Sequence, residues 1–444
     1  MNGHTNGHAN GHIDNGAKVS NADFGAAHIA RGVGRMTQMV MSKGEGSWVW
    51  DEEGRKLLDM TCGIGVTNLG HCHPAVTKAA QDQCATMVHA QINIGYSASY
   101  LRMVKAFLPR LAKVDPSLDS VFLWNSGAEA VEAAIKLARS ATKKQNIICM
   151  QGSYHGRTYG TMALTKSKTI YSEGVAPLMP GVFVTPFPYY SQFGVPEETD
   201  VESLVKSSLH QLHLILSQQT NPADTAAIII EPVMGEGGYV PAPASFLRGL
   251  REICDKHNIL LIIDEVQSGC GRTGKFFFVE YSGVRPDILI FAKGIANGFP
   301  LSGIASRKDL MDLQKPGTMG GTYAGNAVSC AAAWAVLNTF EKENILENVQ
   351  ARHEQLMTLL NGLKKSPAGV VIQQIRGYGL MIGIQFVHPK IKGIMDSTPH
   401  GLNAGSQNTA SHDPWLYESS QEQLAPKIVQ ACIKRNMLLL STSV

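Results

Sequence analysis

The chain has 444 residues, 44% of them hydrophobic and 17% charged. At roughly 100–200 residues per domain, this length allows two or three folded units with a substantial core. With 39 Lys and Arg against 36 Asp and Glu, the near-neutral balance excludes a basic surface of the kind that grips a nucleic-acid backbone. No apolar run approaches the ~18 residues that suggest a membrane span, and the eight cysteines include no CxxC pair, so they read as reduced thiols rather than a disulfide framework.

The chain opens on repeated Asn-Gly-His, MNGHTNGHANGHIDNG. Residues 1–22 hold too few apolar side chains to offset the entropy of ordering, so a disordered tail is expected, with metal binding by its histidines the minor alternative. The tail has neither a secretory apolar stretch nor an Arg-rich amphipathic presequence pattern, which makes a cytoplasmic location the expectation. Folded sequence starts near Phe24, and WVWDEEGRKLLDM (48–60) reads as a hairpin turning at Glu52-Glu53-Gly54. Apolar runs suited to buried strands follow at Val121–Trp124, Ile147–Met150, Val182–Thr185, Ala226–Glu231, Ile259–Asp264 and Asp287–Ala292. Helical patterns at Ala128–Ser140, Val201–Ser217 and Ala244–His257 lie between several of them. Strands alternating with helices predict an α/β fold, a mainly parallel sheet covered on both faces. Beyond it come helices at Ala327–Lys342 and Ile345–Lys364, a β-like piece at Leu380–Val387, a polar loop at Ser397–Ser420, a helix at Glu422–Arg435 and a last apolar piece, Met437–Leu440.

In such a sheet ligands bind beyond the carboxyl ends of the strands, and several reactive residues fall there. Lys293 ends the run Asp287–Ala292. A poorly solvated ammonium has a lowered pKa and can serve as a nucleophile or form a Schiff base; the ordinary alternative is a snorkelling surface lysine. Asp264 ends another strand, where a buried carboxylate needs a cation such as a pyridinium nitrogen, unless it caps the next turn. Val266 shares its face if the strand continues. Ala226–Glu231 also stops in an acid. Ser126-Gly127-Ala128-Glu129 opens a helix whose first N–H groups favour a phosphate, although Ser-Gly is also an ordinary cap. Tyr154-His155-Gly156-Arg157-Thr158 brings an aromatic face and a guanidinium able to hold a carboxylate, or to form a surface ion pair. A phosphate cradle, an aromatic plane, a buried acid and a strand-end lysine are together what pyridoxal phosphate requires.

Three other patterns point elsewhere. Gly269–Gly274 matches GxGxxG, but Phe276-Phe277-Phe278-Val279 is no helix start, so a turn is expected rather than a dinucleotide site. His71-Cys72-His73 precedes Pro74 and reads as a turn, not a metal site. His210 and His213 fit a solvated helix face.

The sequence resembles the class III aminotransferases, the group with 4-aminobutyrate, ornithine and acetylornithine aminotransferases, from about Gly44 onward. The motifs that carry the resemblance are GHCHP (70–74), SGAEAVEAAIKLAR (126–139), YHGRT (154–158), EPVMGEGG (231–238), DEVQSGCGRTG (264–274), AKGIANGFPLSG (292–303) and GGTYAGN (320–326). It implies the fold type I of pyridoxal-phosphate-dependent transferases. Residues 70–330 would form the large cofactor domain, and 23–69 with 331–444 a smaller α+β domain. It implies Lys293 as the lysine that holds the cofactor and moves the proton. Asp264 would pair with the ring nitrogen, Val266 and Tyr154 would flank the ring, and Gln267 would sit near its hydroxyl. Ser126, Gly127 and Ala128 would bind phosphate, with His155 and Glu231 also at the cofactor. Thr322 would reach the phosphate of a neighbouring subunit in a homodimer. Ile64, Arg157 and Glu236 would face substrate. In the family a second arginine follows the segment resembling Met437–Ser441, whereas this sequence closes at Val444. The expectation is therefore a truncated small domain, or another residue in that arginine's place. The implied activity is transfer of an amino group from an ω-amino acid, amine or amino acid to a 2-oxo acid such as 2-oxoglutarate, most nearly of the 4-aminobutyrate type. The alternatives are aminomutase or decarboxylase chemistry on the same scaffold, or a non-catalytic dimerising relative.

Overall fold

The computed structural model of the protein describes residues 19–386 and 414–442. Its centre is a seven-stranded sheet. The strands, numbered in chain order, are β1 (Ser120–Trp124), β2 (Asn146–Met150), β3 (Val182–Thr185), β4 (Thr225–Ile230), β5 (Leu260–Asp264), β6 (Ile288–Phe291) and β7 (Ser302–Ser306). Their spatial order is β1-β7-β6-β5-β4-β2-β3. From β6 to β3 neighbouring strands are parallel, and β7 alone runs against both β6 and β1. The expected α/β fold is the one observed.

Six strands lie within a residue or two of the apolar runs. β7 has no such run, only Ser-Gly-Ile-Ala-Ser. It is nonetheless buried throughout, and a Cβ on Gly303 would come within 2.4 Å of the Phe122 carbonyl and 2.7 Å of the Phe291 ring. Glycine is what lets this strand fit between its neighbours.

Alternation along β6 divides the core. Leu289 and Phe291 face a cluster with Phe107, Phe276 and Phe277 on one side of the sheet, and Ile288 and Ile290 face an alanine-rich cluster on the other. That second face is covered by the helix Gly127–Thr142, which buries Ala130, Ala133, Ala134 and Ala138. Small side chains let it lie close to the sheet, where it touches β1, β7, β6, β5 and β4 in its passage from one edge toward β2.

A four-stranded sheet joins distant parts of the sequence. Met41–Glu45, Trp48–Asp51 and Lys56–Asp59 form an antiparallel meander, the expected hairpin included, and Met437–Leu438 adds in parallel to Lys56–Asp59. Val49, Leu57, Val429, Ile433 and Leu438 share its core. A separate antiparallel pair, Ile372–Tyr378 with Met381–Phe386, was foreseen only in its second strand.

Two boundaries differ from the sequence reading. A helix at Asn21–His28, capped by the Ser20 side chain, begins inside the stretch assigned to the tail; the rest of that tail, residues 1–18, lies outside the described residues. The helix foreseen at Glu422–Arg435 runs from Pro414 to Lys434, so the end of the expected polar loop, 414–420, is helical. Proline is well tolerated in a first helical turn, and the Glu, Gln and Leu residues that follow outweigh the two serines. The remainder of that loop, 397–413, is not among the described residues. No described helix is long and apolar enough to cross a membrane.

Candidate active site

The carboxyl ends of β1, β2, β4, β5 and β6 open on one side of the sheet into a cavity of about 670 Å³. Into it the fold brings Ser126, Gly127, Ala128, Tyr154, His155, Arg157, Glu231, Glu236, Asp264, Val266, Gln267 and Lys293, joined by Ile64. Thr322 is exposed and outside the cavity of its own chain.

At one end stands the helix that follows β1. Ser126 caps it reciprocally with Glu129: the Ser126 N–H and hydroxyl donate to Glu129 Oε2 at 2.8 and 2.9 Å, and the Glu129 N–H donates back to Ser126 Oγ at 3.3 Å. The N–H groups of Gly127 and Ala128 belong to the first turn, which no intrahelical carbonyl can satisfy. A Cβ on Gly127 would lie 3.1 Å from Val266 Cγ1, so the glycine keeps this end open beside the valine.

Asp264 occupies the middle. The strand stops there, and Val266 lies in the following turn rather than on a continued strand. The turn still aims Val266 into the cavity, because its N–H donates to Asp264 Oδ1 at 3.0 Å. Asp264 Oδ2 is 2.8 Å from His155 Nδ1. Each oxygen thus has one donor and retains acceptor capacity. The carboxylate is nearly fully buried, where a negative charge calls for a cation.

Lys293 begins the turn after β6 with φ of +48°, a conformation that L-residues seldom adopt and that recurs at functional sites. Burial holds its ammonium below the usual lysine range, opposed by the carboxylates of Glu231, Asp264 and Glu236. Glu231, just past β4, accepts the N–H of Tyr154 at 2.7 Å on one oxygen and that of Gly235 at 3.1 Å on the other. It therefore ties the Tyr154–Arg157 loop to the loop that carries Glu236. Burial pushes its carboxyl up to about 7, with Asp264 adding to the rise and His155 opposing it.

The remaining wall is made of loops. Cys62, Gly63, Ile64 and Gly65 all have positive φ. This turn hangs from Asp59, whose Oδ1 accepts the Thr61 N–H at 2.9 Å, the Thr61 hydroxyl at 2.6 Å and the Cys62 N–H at 3.1 Å. Asp59 Oδ2 lies 2.8 Å from His71 Nε2, and His73 faces Glu343 at 3.4 Å, so the two histidines serve different partners. Gly269–Gly274 is a turn, as expected.

The family model for class III aminotransferases matches residues 28–433. The chain belongs to the class III aminotransferases. It is 42% identical over 359 residues to the 5-aminovalerate aminotransferase of Pseudomonas aeruginosa, covering 81% of each chain. It is 41% identical over 359 residues to the 4-aminobutyrate aminotransferase of Escherichia coli, covering 80% of this chain and 81% of the other. Among solved structures, the taurine:2-oxoglutarate aminotransferase of Bifidobacterium kashiwanohense, in complex with PLP and glutamate, superposes with a TM-score of 0.81 at 26% identity, over 95% of this chain and 90% of that one.

Class III aminotransferases work with pyridoxal phosphate, and this aminotransferase has the donor set for it. First-turn N–H groups suit a phosphate, a buried carboxylate with spare acceptor capacity suits a ring cation, and a desolvated amine suits an aldehyde. A cavity of about 670 Å³ falls within the usual range for cofactor sites, roughly 300–1,000 Å³.

Some lining residues went unread in the sequence. Asn125, which donates to Glu129 Oε1 at 3.1 Å, directly precedes Ser126 and was there to be noticed. Phe299 and Leu301 lie in the lysine motif without an assigned role. Tyr171 stands behind the lining, in contact with Arg157 and Glu236, and has no signal in the sequence; only the folded chain brings it there.

Proposed function

We propose that this aminotransferase moves the amino group of an ω-amino acid such as 4-aminobutyrate or 5-aminovalerate to 2-oxoglutarate. The observation that carries the reading is the meeting of Lys293, Asp264 and the Gly127–Ala128 helix terminus in one cavity. The names of the relatives described above support the donor class.

Bound pyridoxal phosphate supplies an aldehyde that condenses with amines and a ring that accepts electron density from the adjacent carbon. Gly127 and Ala128 would hold its phosphate, with Ser126 fixing the helix end. Asp264 would keep the ring nitrogen charged, oriented by His155 and the Val266 N–H. Val266 and Tyr154 would flank the ring, and Gln267 would stand by its hydroxyl. Glu231 holds the Tyr154 backbone in place. Lys293 would bind the aldehyde and, once displaced by the donor, carry the proton on Nζ; its depressed pKa leaves more free amine at neutral pH than an ordinary lysine has. Arg157 would grip the carboxylate remote from the reacting amine, with Ile64 and Glu236 completing the substrate side.

The working unit in this reading is a cytoplasmic homodimer, with Thr322 completing the partner's phosphate site. Ile94, Tyr96 and Tyr323 are 90%, 80% and 67% exposed, and Tyr323 adjoins Thr322, so a second copy has apolar surface to cover here. The described cysteines stand as free thiols. We assign residues 70–330 to a large domain and 23–69 with 331–444 to a small one, in keeping with the sheet shared by Lys56–Asp59 and Met437–Leu438. Purified holoenzyme given either ω-amino acid and 2-oxoglutarate should form glutamate, read by a coupled assay. Turnover of plain amines with none of ω-amino acids would overturn the donor assignment.

A further inference from the structure

Arg157 and Glu236 bring opposite charges into the same cavity. A guanidinium and a carboxylate lining one cavity can pair, often bidentately, and an arginine so engaged is lost to substrate. Tyr171 contacts both. The Arg157 guanidinium lies over its ring, 4.4 Å from the centroid, and its hydroxyl donates to Glu236 Oε2 at 3.2 Å. Tyr154 braces the arrangement, its ring 5.3 Å from that of Tyr171 at 75° and its hydroxyl accepting from Arg157 Nε at 3.2 Å. That bond uses the inner nitrogen and leaves the two end nitrogens, the fork that matches a carboxylate.

We propose that Tyr171 is a specificity-determining positioning residue: it anchors Glu236 by its hydroxyl and Arg157 by its ring, so that the guanidinium stays available for the carboxylate of an ω-amino acid. The proposal rests on Arg157 as the carboxylate binder. Burial and then Glu236 push the Tyr171 phenol up to about 12, so it remains a donor at neutral pH. Tyr171 is half-buried in the turn Thr169–Tyr171.

The test compares wild-type holoenzyme with Tyr171→Phe, Glu236→Gln, the double variant and Arg157→Ala. The readouts are kcat and KM for 5-aminovalerate and for pentylamine, and binding of valerate and pentylamine by calorimetry. Tyr171→Phe keeps the ring and removes the hydrogen bond that holds Glu236 Oε2 on the Tyr171 side. It should raise the KM for 5-aminovalerate and the Kd for valerate about tenfold, the scale of one hydrogen bond to a charged group. The kcat and the affinity for pentylamine should hold. Adding Glu236→Gln should remove most of that rise. Equal losses for both ligands, a rise that persists without the Glu236 charge, or no change would each overturn the proposal. Arg157→Ala separates the two levels: if it weakens valerate but not pentylamine while Tyr171→Phe does nothing, only Tyr171 is misassigned. If valerate binding ignores Arg157, both assignments fall.

Discussion

The cavity has two walls built on different principles. One is made by strand ends: Asp264, Lys293 and the Ser126 helix are fixed by β5, β6 and β1, whose hydrogen-bonded registers leave little freedom, and Asp264 is nearly fully buried. The other is made by loops. Ile64 sits on a turn of four consecutive residues with positive φ, and Arg157 and Glu236 are held through Tyr154 and Tyr171. The first wall suits a group that is always the same. The second suits substrates that differ, because loops change without disturbing the sheet. Substitutions in the strand-end wall should therefore remove chemistry, and those in the loop wall should change preference.

The largest effect falls on Lys293. Lys293→Ala should lower turnover by about 10⁴-fold or more, and borohydride treatment should leave no cofactor fixed to the peptide at position 293. A fixed adduct on another lysine, with turnover kept, would dissolve the contrast between the walls. Asp264→Asn keeps the shape and removes the charge. It should lower kcat by roughly 10²–10³-fold and weaken cofactor binding, measured by titrating apoenzyme. A loss confined to the KM for one donor would move Asp264 to the substrate wall.

The same division marks what was legible in the sequence. Asp264 and Lys293 stand out because a charged residue closing a run such as Ile288–Phe291 is chemically conspicuous, and strand ends converge by topology. The two long helices Ala327–Lys342 and Ile345–Lys364 lie where their patterns predict. β7 was hidden because its place depends on a missing side chain at Gly303 rather than on an apolar pattern. The turn of positive-φ residues around Ile64 was hidden because an isoleucine is the last residue a pattern would put there. Tyr171 was hidden because a ring–cation contact between loops leaves no periodic trace.

Glu231 ties the walls together, and its ionisation gives a smaller effect that depends on pH. Its folded-state value of about 7 lies above the roughly 4.3 of a free glutamate. The folded state therefore keeps a proton that the unfolded state has lost across this interval. Stability from this group is full below about 4.3 and is lost as pH rises through about 7, a change on the order of a few kcal/mol. Glu231→Gln cannot titrate. It should carry a constant penalty, because its amide N–H₂ meets the N–H of Tyr154 or Gly235, but it should lack this slope. Urea midpoints at pH 5, 6, 7 and 8 for both proteins give the comparison, with the wild-type advantage shrinking toward pH 8. Parallel curves would mean that Glu231 titrates like an ordinary carboxylate.

The smallest effect separates stability from preference in the loop wall. Ile64 has φ +64° and ψ +50°, a conformation that costs an ordinary L-residue roughly 1–2 kcal/mol, and more than usual for a β-branched one. Asparagine adopts it far more readily. Ile64 is 45% exposed, so Ile64→Asn forgoes about half of the ~1.5–3 kcal/mol that burying a whole apolar side chain provides. Relief of strain and reduced apolar burial nearly cancel, and the stability should stay within about 1 kcal/mol of wild type, read from the denaturation midpoint. The KM for 5-aminovalerate should rise roughly threefold, because the aliphatic part of the donor is left without an apolar neighbour. A large fall in stability with unchanged KM would make Ile64 part of the core rather than the substrate wall, and the two walls would then differ in position only.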